Sequence, residues 1–173
     1  MPGVTCDDRR VIENESAVEV DGEVFTVRAA RPADLPELVA MLADDPLGSA
    51  REGAPPAAYE QAFAAIDADP RQLLAVLTAA GGAIVGTLQL TTIPGLSRGG
   101  ALRGQIEAVR VHSGHRGRGL GSPFIRWAID EARRRGCAIV QLTTDRSRVD
   151  AHRFYERLGF VDSHIGMKLD LRG

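Results

Sequence analysis

Residues 106 to 144, "IEAVRVHSGHRGRGLGSPFIRWAIDEARRRGCAIVQLTT", constrain the fold more than any other part of the chain. An apolar, strand-like run enters a turn with four glycines in the thirteen residues 112 to 124. Beyond it, Ile125, Ala128, Ile129 and Ala132 recur at helical spacing. Gly136 ends that helix, and Arg133, Arg134 and Arg135 fill its last turn, where cations suit the helix dipole. A second apolar run, "CAIVQLTT" (137 to 144), follows at once. Strand, crossover helix and strand in this order require parallel pairing and a right-handed crossover.

The turn is built for an anion. Glycines leave room for several backbone N–H groups to converge, and the start of a helix carries partial positive charge. Arg116 and Arg118 add mobile charge, and Ser122 with Pro123 opens the helix. The two common nucleotide motifs both fail. No Lys follows a glycine as a P-loop needs, and Gly117, Gly119 and Gly121 run G-x-G-x-G, not G-x-G-x-x-G.

Upstream, residues 1 to 22 are polar and aperiodic and read as a flexible leader, so one domain is expected over 23 to 173. "EVFTVRAA" (23 to 30) alternates as a strand. "RPADLPELVAMLADD" turns helical, with Asp34 as cap candidate, Pro36 in the first turn, and Leu35, Leu38, Val39 and Leu42 on one face. After a Gly/Ser/Pro loop, residues 57 to 69 place Tyr59, Phe63 and Ile66 on a second helical stripe. "LLAVLTA" and "AIVGTLQLTTI" flank Gly81–Gly82 as a hairpin, and "GQIEAVRV" (104 to 111) is the strand before the glycine turn. Near the C-terminus, "SRVD" (147 to 150) resembles a capping box before a helix stopped by Gly159. "HIGMKLDL" then alternates Ile165, Met167, Leu169 and Leu171 as a final strand.

Composition excludes several classes. A net charge of -2 and a pI near 6.1 argue against a nucleic-acid partner, and no run is long and apolar enough to span a membrane. Cys6 and Cys137 lack metal or redox spacing and read as free thiols of a cytoplasmic protein. His112, His115, His152 and His164 have no Cys or carboxylate partners at zinc spacing, so no metal is expected.

Arg116-Gly117-Arg118-Gly119-Leu120-Gly121 reads as R-x-x-G-x-G and resembles motif A of the GNAT superfamily of N-acetyltransferases. "AHRFYERLGF" (151 to 160) is similar to that superfamily's A-x-x-F-Y-E-x-L-G-F signature, and the element order from about 24 to 171 also resembles the family's. The resemblance implies an α/β (α+β) fold: a mixed, mostly antiparallel sheet of six to seven strands, about four helices and a β-α-β coenzyme-binding unit. It implies acetyl-CoA as co-substrate and an amine-bearing small molecule or peptide as acceptor, with a homodimer as a family-level leaning.

Residue by residue, Val109, Arg110 and Val111 match the strand that offers backbone groups to the pantetheine arm. Arg116, Gly117, Arg118, Gly119, Leu120, Gly121 and Ser122 match the pyrophosphate cradle. Tyr155 matches the tyrosine that protonates the departing thiolate, and Glu107 is the candidate base acting through water. Strand alternation gives Glu107 the side of Val109 and Val111, provided that no bulge intervenes. Where many members carry Asn, this chain has Arg148, which suits a phosphate instead.

Blander readings stand beside these. The glycines make a structural corner, Tyr155 is a core aromatic with Phe154 and Leu158, and Glu107 faces water or pairs with Arg103 or Arg110. Trp127 reads as a core or interface residue, and "EARRRG" as a solvated helix end. Asp44, Asp45 and Glu52 suit either a cationic amine or solubility. Acceptor determinants fall in the loops at 44 to 56 and 93 to 103, which carry no motif that names a substrate. A non-catalytic acyl-CoA-binding module is the competing function.

Overall fold

The computed structural model describes residues 15–44 and 52–171. Six strands form one sheet in sequence order: β1 Ser16–Val20, β2 Glu23–Ala29, β3 Gln72–Thr78, β4 Ile84–Ile93, β5 Leu102–Val111 and β6 Cys137–Leu142. Pairing is antiparallel from β1 through β5 and parallel between β5 and β6, as the crossover demands. The helices are α1 Leu35–Ala43, α2 Pro56–Ala68, a single turn α3 Ser97–Gly100, α4 Gly121–Arg134 and α5 Val149–Arg157.

The two faces of the sheet pack differently. Against one lies α4, whose Phe124, Ile125, Ala128 and Ala132 are fully buried on Val27, Ala75, Leu77, Leu88, Leu90 and Ile106. Trp127 joins this core, its ring stacked on Phe124 with centroids 6.1 Å apart. Against the other, Leu38 and Met41 of α1 and Phe63 of α2 cover Val76 and Ile84. Two fully apolar stripes on opposite faces are what a sheet needs to shed water from both sides.

Three expectations change. β1 falls inside the stretch read as a leader, of which residues 1–14 lie outside the described part of the chain, together with Cys6. It is tied to β2 by Asp21 and Gly22, both at positive φ (50° and 79°), the conformation that matches a two-residue turn to strand twist. Second, the alternating segment at the C-terminus forms no strand: Ile165, Met167, Leu169 and Leu171 are 80–93% exposed, because alternation without a partner ladder does not make a strand. Third, "SRVD" is not a capping box. Ser147 turns its hydroxyl back to Asp145 at 2.6 Å, and Arg148 occupies the position before α5.

The caps elsewhere also do different work. Asp34 precedes α1 but does not cap it with its side chain. Its carboxylate instead accepts two bonds from Arg28 (2.6 and 3.0 Å) and one from the Arg31 amide (2.7 Å). Those bonds hold the Asp34 carboxyl below the usual carboxylate range, the Arg28 hydrogen bond first, and raise the Arg28 guanidinium in return. Of "EARRRG", Arg133 is solvated, while Arg135 is not: it bonds the buried Glu131 carboxylate at 2.6 Å, and Arg134 meets the same carboxylate at 2.7 Å.

Candidate active site

The site begins where two strands part. β5 and β6 pair from Leu102–Cys137 to Ile106–Leu142, yet β5 runs on to Val111, so among the described residues its last five have no strand on the β6 side. The cause is local. On β4, Thr87 stands opposite Arg110 and Gln89 opposite Glu107, so Leu88 faces two residues of β5. The extra residue is Ala108, at φ +52°, and such a bulge bends its strand and raises its twist.

The same bulge overturns the parity argument for Glu107. Val109 and Val111 pack on the α4 side with Ile106, whereas Glu107 and Arg110, in register with Gln89 and Thr87, face the other way. Glu107 is exposed there. One additional residue moves every later side chain of the strand to the opposite face from the one simple alternation assigns.

Past β5 comes the glycine turn. Gly117 and Gly119 both take positive φ (78° and 79°), and a Cβ at Gly117 would meet nothing within 4 Å, so the backbone there is open to a close ligand. Leu120 is buried beneath, and α4 starts at Gly121 and Ser122 with its first amides unpaired by the helix itself. Arg116 donates to the Val111 carbonyl (3.0 Å) and, through Nη2, to the Asp44 carbonyl (2.7 Å) and carboxylate (3.1 Å). Arg118 reaches Glu23 at 2.6 Å. Both ion pairs are half exposed and therefore weak, so an anion can compete for either guanidinium. Open backbone, two exchangeable arginines and a helix start together fit a pyrophosphate.

His112 caps this corner: its Nδ1 accepts from the Gly114 amide at 3.2 Å, and its ring meets that of His115 edge-on. Among the described residues no group of three or more His, Cys, Asp or Glu gathers as a metal would need.

Tyr155 rises from α5, its ring against Phe154 and Phe160 with centroids 5.0 and 5.7 Å away. Burial pushes its phenol above the ordinary tyrosine value, and Arg148 and Arg110 pull partly against that shift. Both cations therefore lie within electrostatic reach of the phenol. Arg110 shares a face with Glu107, whereas Tyr155 packs on the core under α4. Asp44 acts on Arg116, Glu52 accepts from Tyr59 at 2.7 Å, and Asp45 lies outside the described residues.

A row of amides was missed from the sequence. Gln72, Thr91, Gln105 and Gln141 stand directly opposite one another across β3 to β6, with Gln89 beside Glu107 in the next row. The signal was present as polar residues at every second position of "TLQLTT", though which face they shared depended on the register.

With this geometry in view, the comparisons with known proteins agree. The model of the acetyltransferase (GNAT) family matches residues 36–160, and the chain belongs to that family. Aminoalkylphosphonate N-acetyltransferase of Salmonella typhimurium is 42% identical over 62 residues, 36% of this chain and 40% of that protein. Glucosamine 6-phosphate N-acetyltransferase of Trypanosoma brucei brucei is 39% identical over 90 residues, 52% of this chain and 59% of that protein. The chain thus matches only about half the length of these two relatives. Streptothricin acetyltransferase of Streptomyces lavendulae is 33% identical over 144 residues, 83% of this chain and 67% of that protein.

Among solved structures, one described as a transcriptional regulator from Bacillus halodurans C-125 superposes with a TM-score of 0.81 at 47% identity, covering 85% of this chain and 99% of that one. An acetyltransferase from Agrobacterium tumefaciens C58 gives 0.71 at 34% identity, covering 83% and 98%. A Clostridium acetobutylicum acetyltransferase solved with acetyl-CoA shares the fold, at 0.67 and 18% identity over 85% and 96%.

Proposed function

We propose that this chain is an N-acetyltransferase that moves the acetyl group of acetyl-CoA directly to an amine. The observation that carries this reading is the gap between β5 and β6 at the Ala108 bulge, with the glycine turn following β5 and the half-buried Tyr155 on α5, the helix that follows β6. Arg116 to Ser122 would hold the pyrophosphate, with Val109 to Val111 along the gap and Arg148 as a further cation for a phosphate. The family's curated relatives that act on glucosamine 6-phosphate, aminoalkylphosphonate and streptothricin support an amine as acceptor.

When bound, acetyl-CoA supplies an acetyl thioester already activated toward a nucleophile. Glu107 takes the proton of the acceptor ammonium through a water, which frees the lone pair that forms the new N–C bond. As the C–S bond breaks, Tyr155 delivers its proton to the sulfur, and the second proton shed by the new amide nitrogen returns to the phenolate. Its burial keeps the phenol protonated at neutral pH, so the acid is ready without a prior step. No covalent enzyme intermediate is part of this scheme, and the reading goes with a cytoplasmic location.

Thiol release from acetyl-CoA against a library of amines tests coenzyme, reaction and acceptor class together. Tyr155→Phe should lower kcat about a hundredfold or more while leaving the coenzyme's thermal stabilisation of the protein intact. Glu107→Gln should lower kcat/KM for the amine. If both variants turn over the best acceptor at the parental rate, the two roles are wrong. Coenzyme binding without thiol release for any amine would favour the non-catalytic binding module.

A further inference from the structure

The end of α1 is fastened to the glycine turn, 72 residues away in sequence, by one side chain. α1 is held at its start by the Arg28–Asp34 clamp and in its middle by the buried Leu38 and Met41. Its last turn has neither aid. The final carbonyls of a helix lack intrahelical donors and favour a nearby cation, yet the last turn of α1 contains no basic residue. Arg116 supplies that cation from outside. Its Nη2 donates to the carbonyl of Asp44, the residue that closes α1, at 2.7 Å and to the Asp44 carboxylate at 3.1 Å.

A guanidinium carries five N–H groups in a rigid planar fork. Three of those on Arg116 are engaged: Nε by the Val111 carbonyl at the end of β5 (3.0 Å), and both of Nη2 by Asp44. The two on Nη1 have no partner among the described residues, and half of the side chain's surface is open to an incoming anion. An anion that seized Nη2 would have to break both bonds to Asp44. One that met Nη1 would break none and would find the fork already fixed from two sides. We infer that Arg116 couples the coenzyme site to α1: Asp44 positions the guanidinium, Nη1 receives the pyrophosphate, and coenzyme binding thereby fixes the last turn of α1. This rests on the reading of the glycine turn as a pyrophosphate cradle and adds a second element to what that cradle controls. Linkage makes the effect reciprocal, so whatever fixes the end of α1 also strengthens coenzyme binding.

Amide hydrogen exchange of the full-length protein, with and without saturating coenzyme A, reads this coupling without any turnover. In the parent, the coenzyme should slow exchange at Leu42, Ala43 and Asp44 by about threefold or more. Arg116→Lys keeps a cation for the anion but has no fork, so at saturation it should protect the glycine turn as the parent does and lose the slowing at 42 to 44. Calorimetry tests the positioning. Asp44→Ala should weaken coenzyme binding about threefold, and Asp44→Asn, which keeps a side-chain oxygen for Nη2, should restore it. Unchanged or faster exchange at 42 to 44, the same slowing in Arg116→Lys, or coenzyme binding in Asp44→Ala at parental strength or tighter overturns the inference. Protection of the glycine turn with none at α1 sinks the coupling alone, whereas protection at neither sinks the cradle reading with it.

Discussion

The two faces of this sheet are built on opposite terms. Under α4, the contact is apolar from Val27 on β2 to Ile106 on β5. On the other face, a small apolar patch under α1 and α2 gives way to glutamines, Glu107 and Arg110, and hydrogen bonds do the fixing. The first face stabilises the fold by area removed from water, and the second keeps directional groups half-wet beside the gap in β5 and β6. The two faces thus rest on different interactions, so substitutions should separate them.

The sharpest break is Phe124→Ala. Phe124 is fully buried at the centre of the α4 face, and its loss should cost about 3–5 kcal/mol in urea unfolding, through lost burial and the cavity left behind. A smaller break tests the other face. Asp34→Asn removes the charge that clamps the start of α1 to Arg28 on β2 and should cost about 1–3 kcal/mol at neutral pH.

Its pH dependence has a definite sign. The folded Asp34 carboxyl lies below its ordinary value, so its contribution is complete above that value and is lost as pH falls toward the folded one. The gap between parent and Asp34→Asn should therefore close on acidification below about pH 4, measured by thermal unfolding across an acid series. Smallest of all, Arg133→Ala removes an exposed pair with Asp130 on the solvent side of α4, away from both faces. It should change stability by no more than about 0.5 kcal/mol, and a larger loss would mean that this helix end supports more than its own surface.

Much of the site was legible because it is local. The glycine turn, the start of α4 and the "FYERLGF" helix are short-range patterns whose geometry does not wait on distant partners. The α4 stripe was read nearly in full, although Phe124 and the buried Glu131 with Arg135 were not, since their burial depends on what crosses above them. β1 was missed although Asp21–Gly22 between two short alternating runs is itself a hairpin signal. The bulge at Ala108 could not be read from β5 alone, because an unpaired residue is defined only against its neighbour on β4. The segment ending at Leu171 taught the complementary point: its apolar alternation describes a face, whereas a strand also needs a ladder to join.

The bulge has one more consequence, for insertions and deletions. Because Ala108 is the residue that the β4 ladder skips, losing its codon would leave Glu107 and Arg110 on one face and Val109 and Val111 on the other, just as they are now. The core would keep its contacts and the chain should fold. What would go is the bend, and with it the parting of β5 from β6. A lineage that dropped this single codon would retain a sound protein with its slot closed, and a second extra residue there would turn Val109 and Val111 out of the core instead.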